Sequence, residues 1–208
     1  MLRHIIVTGN VAAGKSWILN QLQSLFPNAS IYPEFINNDE LALAILKRRF
    51  NNTISTLTFQ NFIMDKWVIH SKLPQSEVNI YERLPDDAVE VFAKAFLNEE
   101  EYKTQEHRLE ELTMLPSYKD MNSDNCTWIK YNNDPLNSNI NTLISNIKLI
   151  TTEFLVIEVT SPNYYQNYLM RNRDGERYSK EDLDTIDKMY QVYTKELKSK
   201  IKPVCIDL

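Results

Sequence analysis

The sequence predicts an α/β fold: a parallel, doubly wound sheet of five strands flanked by helices. Three observations lead there. Short β-branched runs alternate with segments of helical apolar spacing, the pattern of parallel strands joined by right-handed crossovers. The first such run passes directly into a glycine turn and a helix. The 208 residues, 43% apolar and 25% charged, suffice for one sizeable core and are few for two.

His4-Ile5-Ile6-Val7-Thr8 reads as a buried strand. Trp17-Ile18-Leu19 with Leu22, Leu25 and Phe26 has the spacing of a helix packed on a sheet, stopped by Pro27-Asn28. A second short strand spans 29–32 and is closed by Pro33-Glu34, and helical spacing follows over 41–50 and 57–70. Val78-Asn79-Ile80-Tyr81 is a third strand running into Glu82-Arg83. Helical patterns return over 88–97 and, more charged, over 99–115. Residues 117–141 are rich in Asn, Asp and Ser and read as a long loop or insertion. Phe154-Leu155-Val156-Ile157-Glu158-Val159 is the strongest buried strand in the chain. Residues 164–170 read as helix, a long helix runs from 178 to about 200, and a fifth strand closes the chain over 203–208. Neither an internal repeat nor a linker composition divides 1–208, so a single domain is expected.

Composition narrows the function. The net charge is −5, against the basic surface that long nucleic acid requires, and no nucleic-acid partner is expected. No run of about 18 uncharged apolar residues occurs, so no membrane span is expected. Neither a signal nor a transit pattern precedes the first strand, and Cys126 and Cys205 have no metal or disulfide spacing, which suits the cytoplasm.

Glycine usage is more informative, because glycine is kept where the backbone needs positive φ or a close ligand approach. The chain has three: Gly9, Gly14 and Gly175. Two of them bracket Gly9-Asn10-Val11-Ala12-Ala13-Gly14-Lys15-Ser16, which is G-x-x-x-x-G-K-[ST], the phosphate-binding P-loop. With a strand before it and a helix after it, the fold predicted is of the P-loop NTPase type. Backbone N–H groups and the helix N-terminus would wrap the phosphates, Lys15 would neutralise β/γ charge, and Ser16 would sit on Mg²⁺. In open α/β sheets ligands bind at the carboxyl ends of the strands. The P-loop, Glu34, Glu82-Arg83 and the basic run Arg171, Arg173 and Arg177 converge on that edge. Any of these charges alone would read as a solvated strand end or helix end.

The ordered set of motifs resembles the deoxynucleoside kinases, among them thymidine kinase 2, deoxycytidine kinase and the insect multisubstrate enzyme. It consists of the P-loop, Pro33-Glu34, Thr58-Phe59-Gln60, Glu82-Arg83 with Phe92-Ala93-Lys94, and Arg171-Asn172-Arg173 with Glu176. The resemblance covers nearly the whole chain apart from about 98–150. It implies transfer of the ATP γ-phosphoryl group to a deoxynucleoside 5′-hydroxyl, a lid around 171–178 with Gly175 at a hinge, and a homodimer. By resemblance, Glu34 is the base or positions the hydroxyl, Arg83 keeps it ionised and neutralises phosphoryl charge, and Glu82 partners Ser16 on Mg²⁺. Gln60 would pair with the base edge and Phe92 stack on the base, with Phe59, Ile63, Trp67 and Ala88 around them. Arg171, Arg173 and Arg177 would close over ATP, and Glu176 would bind the sugar 3′-hydroxyl. Without the resemblance, Gln60 would read as a helix cap and Phe92 as a core residue.

Four positions depart from the family pattern. The tyrosine that contacts the 3′-hydroxyl aligns near Arg49-Phe50, the tryptophan after Pro-Glu has no counterpart in Phe35-Ile36-Asn37-Asn38-Asp39, the arginine before the lid is Asn167, and the serine after Glu-Arg is Leu84. Members favouring deoxycytidine and purines carry charged residues where this chain has Trp67 and Ala88. Thymidine is therefore the expected substrate, with deoxycytidine or broad pyrimidine use second. The alternatives are a nucleoside monophosphate kinase such as a thymidylate kinase, which needs further basic residues for its substrate phosphate, a regulatory nucleotide-binding ATPase, and a non-catalytic paralogue.

Overall fold

The computed structural model describes residues 3–134, 139–171, 173 and 176–208. Gly175 and Asn172, assigned above to the lid, lie outside the described residues. The sheet is wholly parallel and has six strands, not five: β1 (Arg3–Thr8), β2 (Ser30–Tyr32), β3 (Val78–Glu82), β4 (Cys126–Asn132), β5 (Phe154–Thr160) and β6 (Val204–Asp207), in spatial order β2-β3-β1-β5-β4-β6.

The extra strand is β4, which corrects the loop expected over 117–141. That stretch also contains a 3₁₀ turn at Tyr118–Asp120 and the first residues of a helix. Asn, Asp and Ser on both sides of Cys126-Thr127-Trp128-Ile129-Lys130-Tyr131 dilute its strand signal. Tertiary burial recovers it: Cys126, Trp128, Ile129 and Tyr131 are buried, each such large side chain contributing about 2 kcal/mol. β4 pairs with β5 from Cys126↔Phe154 to Asn132↔Thr160, and so pushes β6 to the sheet edge, where Val204 is exposed.

The helices are α1 (Lys15–Leu25), α2 (Phe35–Asn38), α3 (Glu40–Phe50), α4 (Thr56–His70), α5 (Pro85–Asp87), α6 (Lys94–Phe96), α7 (Glu99–Glu110), α8 (Ile140–Leu149), α9 (Tyr164–Arg171) and α10 (Lys180–Ile201). A π-helical stretch, Ala88–Ala93, joins α5 to α6. The charged helix expected to 115 stops at Glu110, where its apolar spacing gives way to a turn.

Helices cover both faces. On one, Leu19 and Leu22 of α1 and Leu143 and Ile147 of α8 pack against Ile5, Val7, Ile129 and Ile157. On the other, Met64 and Trp67 of α4 and Leu197 and Ile201 of α10 pack against Ile6, Tyr81, Trp128 and Val156. Strand side chains alternate between these layers, so every central strand is apolar on both sides. The buried charged groups Lys15, Glu82, Arg83, Asp86 and Asp87 lie at or just beyond the carboxyl ends of β1 and β3.

Candidate active site

The P-loop conformation follows from its glycines. Gly9 has φ +129°, and a Cβ there would stand 2.1 Å from the Val159 carbonyl oxygen. Gly14, at φ +100°, would meet the Asn133 side chain at the same distance. Asn133 follows β4 directly, and its Nδ2 donates to the Ala13 carbonyl at 2.9 Å, so the inserted strand braces the loop. On the other side Asn10 accepts from the Val11 N–H and donates to Asp187 of α10 at 3.0 Å. The N-terminus of α1 opens at Lys15, leaving first-turn N–H groups to face an anion. Lys15 is buried, donates to the Asn10 carbonyl at 2.7 Å, and is brought down to about 7 by burial and then by Arg83. Glu82 and Glu34 oppose that shift. An arriving phosphate would reverse it.

Glu34 stands at the end of β2 and Arg83 at the end of β3, two strands that pair in parallel from Ser30↔Asn79 to Tyr32↔Tyr81. Arg83 Nη1 donates to Glu34 Oε1 at 2.6 Å. Its Nε donates to the Tyr190 hydroxyl at 2.7 Å and its Nη2 to the Gly9 carbonyl at 3.4 Å. Burial alone would raise the Glu34 carboxyl, but Arg83, Arg173, Lys15 and Arg171 outweigh it and hold the group at about 2. Arg173 lies 3.6 Å from the other Glu34 oxygen and 3.7 Å from Glu176, and Arg171 pairs with Glu176.

Ser16 Oγ lies 3.4 Å from both Glu82 oxygens, one of which also accepts the Glu34 backbone N–H. A hydroxyl and a carboxylate beside a phosphate site form the hard-oxygen set that Mg²⁺ takes, with water and phosphate completing the octahedron. Among the described residues no group of three His, Cys, Asp or Glu could hold a metal alone.

Two cavities meet here. One is walled by Phe59, Gln60, Ile63, Trp67, Ala88 and Phe92, the other by Gly14, Lys15, Ser16, Trp17, Asn167 and Arg171. Both share Glu34, Glu82, Arg83 and Glu176. Gln60 is 4% exposed, and its amide has no hydrogen-bond partner among the described residues. Arg83 also lies 5.0 Å over the Phe92 ring. Arg177 is exposed and lines neither cavity. A wider groove between α10 and the ends of β4 to β6 carries lysines and carboxylates that pair with one another, as Lys198 does with Glu158.

A model of the deoxynucleoside kinase family matches residues 5–155, a stretch holding the P-loop, Glu34, Gln60 and Arg83. The chain belongs to the deoxynucleoside kinase family. It is an enzyme of that class, a phosphotransferase acting on deoxynucleosides. Arg171, Arg173 and Glu176 of this kinase lie beyond the matched stretch. No curated protein matches the sequence. Among solved structures the kinase is similar in fold to a deoxyadenosine kinase from M. mycoides, described with the products dCMP and a flexible dCDP bound. The TM-score is 0.66 and the identity 14%, over 98% of this chain and 89% of that one.

Sequence reasoning missed four residues of this kinase's site. Tyr178 lines the first cavity, Tyr190 receives Arg83, Asn133 braces Ala13 and Asp187 holds Asn10. Tyr190 carried no separate signal, since it falls in the apolar stripe of α10 with Leu183, Ile186 and Leu197. Asn133 was hidden in a segment read as loop.

Proposed function

We propose that the kinase transfers the γ-phosphoryl group of ATP to the 5′-hydroxyl of a pyrimidine deoxynucleoside, thymidine first and deoxycytidine second. The observation that carries this reading is the Glu34 carboxylate, held by Arg83 at 2.6 Å in the wall common to both cavities. A hydroxyl in one cavity and a terminal phosphate in the other would meet at that wall.

Glu34 is ionised throughout the working range, so it accepts a hydrogen bond from the 5′-hydroxyl and aims the oxygen lone pair at phosphorus. The O–P bond forms as the bond from phosphorus to the bridging oxygen of the leaving diphosphate breaks. The hydroxyl proton passes to Glu34 late, once bond formation has made that oxygen acidic enough for so weak a base. Arg83, Arg173 and Arg171 offer cationic donors to the equatorial oxygens, and Lys15 offers one to the β/γ-phosphates. Ser16 and Glu82 would hold Mg²⁺, which neutralises charge on the transferring and leaving phosphates.

The base end supports a neutral pyrimidine. Phe59, Ile63, Trp67, Ala88 and Phe92 are uncharged, and Gln60 supplies adjacent donor and acceptor atoms for a base edge. The small Ala88 leaves room for a 5-methyl group, whereas the Trp67 indole, edge-to-face on Phe35 at 4.9 Å, shortens the cavity against a purine. Pairing into a homodimer belongs to the same proposal. It is supported by the exposed apolar residues Val68, Ile69 and Leu73 at the end of α4 and just beyond it.

The test is a phosphorylation assay of the four deoxynucleosides and thymidylate with Mg-ATP, beside Glu34→Gln. Thymidine turnover that the substitution nearly abolishes supports the reading. Turnover of thymidylate alone would transfer the kinase to the monophosphate class.

A further inference from the structure

Trp17 is the third residue of α1 and stands apart from the rest of that helix. Ile18, Leu19 and Leu22 are buried against the sheet, whereas Trp17 is 41% exposed. A lone exposed apolar residue is ordinary, but this one lines the phosphate cavity. Its backbone N–H donates to the Gly14 carbonyl at 3.1 Å, and a helical side chain leans toward the helix N-terminus, which brings the indole over the glycine turn. Among the described residues the indole N–H has no hydrogen-bond partner, and the ring meets no other aromatic ring and no cation.

The linings of the two cavities set the direction of a bound triphosphate. Glu34, Glu82, Arg83 and Glu176 are common to both, so the transferred phosphoryl group belongs at that wall. Gly14, Trp17 and Asn167 line the phosphate cavity alone. With the β- and γ-phosphates on the P-loop and Lys15, the nucleoside end of the donor leaves past them. The amide donors there are committed. Asn167 Nδ2 donates to the Ala12 carbonyl at 3.4 Å and to the Ser161 hydroxyl at 3.2 Å, and Asn133 Nδ2 to the Ala13 carbonyl at 2.9 Å. An unpaired indole face is what that exit offers to a base, and base–aromatic stacking needs no partner on the base edge. We propose that Trp17 stacks on the nucleobase of the phosphoryl donor, so that the kinase holds its donor by the face of the base as well as by the phosphates. The inference rests on the proposed donor site at the P-loop and adds to it a means of preferring a nucleoside triphosphate to bare polyphosphate.

The experiment measures Kd for ATP and for inorganic tripolyphosphate, both with Mg²⁺ and without acceptor, in the native kinase, Trp17→Ala and Trp17→Phe. Tripolyphosphate presents the phosphates with no base, so its binding also reports that the loop is folded in each variant. The expected result is a loss of ATP affinity of about five- to twentyfold in Trp17→Ala, with tripolyphosphate unchanged to about twofold and ATP recovered by the phenylalanine ring. In the native chain ATP should quench tryptophan fluorescence and tripolyphosphate should not, and the quenching should vanish in Trp17→Phe. Equal losses on both ligands would reduce Trp17 to shaping the start of α1 and overturn the proposal, as would ATP binding that ignores the alanine. If the native kinase binds neither ligand, the donor-site reading falls first and takes this one with it.

Discussion

Arg83 donates to Glu34 at 2.6 Å from a backbone held at φ +68°, in the left-handed region. For a residue with a Cβ that conformation costs about 1–2 kcal/mol. Three contacts offset it: the Arg83 N–H to the Val7 carbonyl at 3.0 Å, Nε to Tyr190, and the capping of the next N–H, on Leu84, by Asp87 at 2.7 Å. The kink turns the side chain back over the strand ends instead of following the sheet. A guanidinium that faces Glu34, Gly9 and the phosphate cavity together is the result.

Glu34→Gln keeps the shape and removes the charge. We expect kcat to fall by about 10²- to 10⁴-fold with ATP binding retained, measured by steady-state kinetics and nucleotide titration. Because the folded carboxyl is depressed to about 2, its contribution to stability is full above the ordinary carboxylate value and is lost only as pH falls toward 2. The pH–rate profile from pH 5 to 7 should carry no limb from this residue. An acid limb that vanishes in the Gln variant would contradict this account.

Lys15 predicts a proton taken up on nucleotide binding. Its folded value of about 7 lies below the ordinary lysine range, so between pH 7 and about 10 the unfolded chain holds more protons and stability rises with pH. A phosphate against the ammonium restores the charge. Calorimetric titration with ATP at pH 8, in buffers of different ionisation enthalpy, should reveal uptake approaching one proton per site, absent in Lys15→Met. Equal heats in all buffers would refute it.

Asp86 is a buried carboxyl with one oxygen on Ser117 at 2.7 Å and the other without a partner. Burial first, with Asp87 adding, raises it to about 7 against the Ser117 hydrogen bond. A raised acid costs stability progressively from about pH 4 and fully above 7. Asp86→Asn should therefore stabilise the kinase by about 1–3 kcal/mol at pH 8 and by less at pH 5.5. Denaturant unfolding at the two values checks the sign.

The two P-loop glycines should tolerate alanine unequally. At Gly9 the clash is with the Val159 backbone carbonyl, which the sheet holds in place. At Gly14 it is with the Asn133 side chain, which can turn away at the loss of its bond to Ala13. Gly9→Ala should abolish folding or ATP binding, whereas Gly14→Ala should weaken ATP by about tenfold. Adding Asn133→Gly should recover part of the loss at Gly14 and none at Gly9, by melting and nucleotide titration.

Much of the site was legible because its chemistry is local. Gly9, Gly14, Lys15 and Ser16 are adjacent in sequence, and their spacing alone names the phosphate loop. Glu34 and Glu82-Arg83 were found because each ends a β-branched run, and parallel strands deliver their ends to one edge. The missed members have no such marker. Tyr190 joins Arg83 across 107 positions of sequence and Asn133 joins Ala13 across 120, so neither partner is visible from the residues beside the other.

Local propensity and spacing, then, were enough to determine a parallel α/β sheet, a phosphate cradle after its first strand, and carboxylate and guanidinium groups gathered at the strand ends. They were not enough for the sixth strand, whose polar flanks conceal it until burial against β5 makes extended pairing favourable. Nor could they orient Arg83, seat the brace from Asn133, or bring Phe50 against Tyr178. Those outcomes depend on contacts between distant segments, and such contacts acquire an energy only once the core has packed and excluded water from around them.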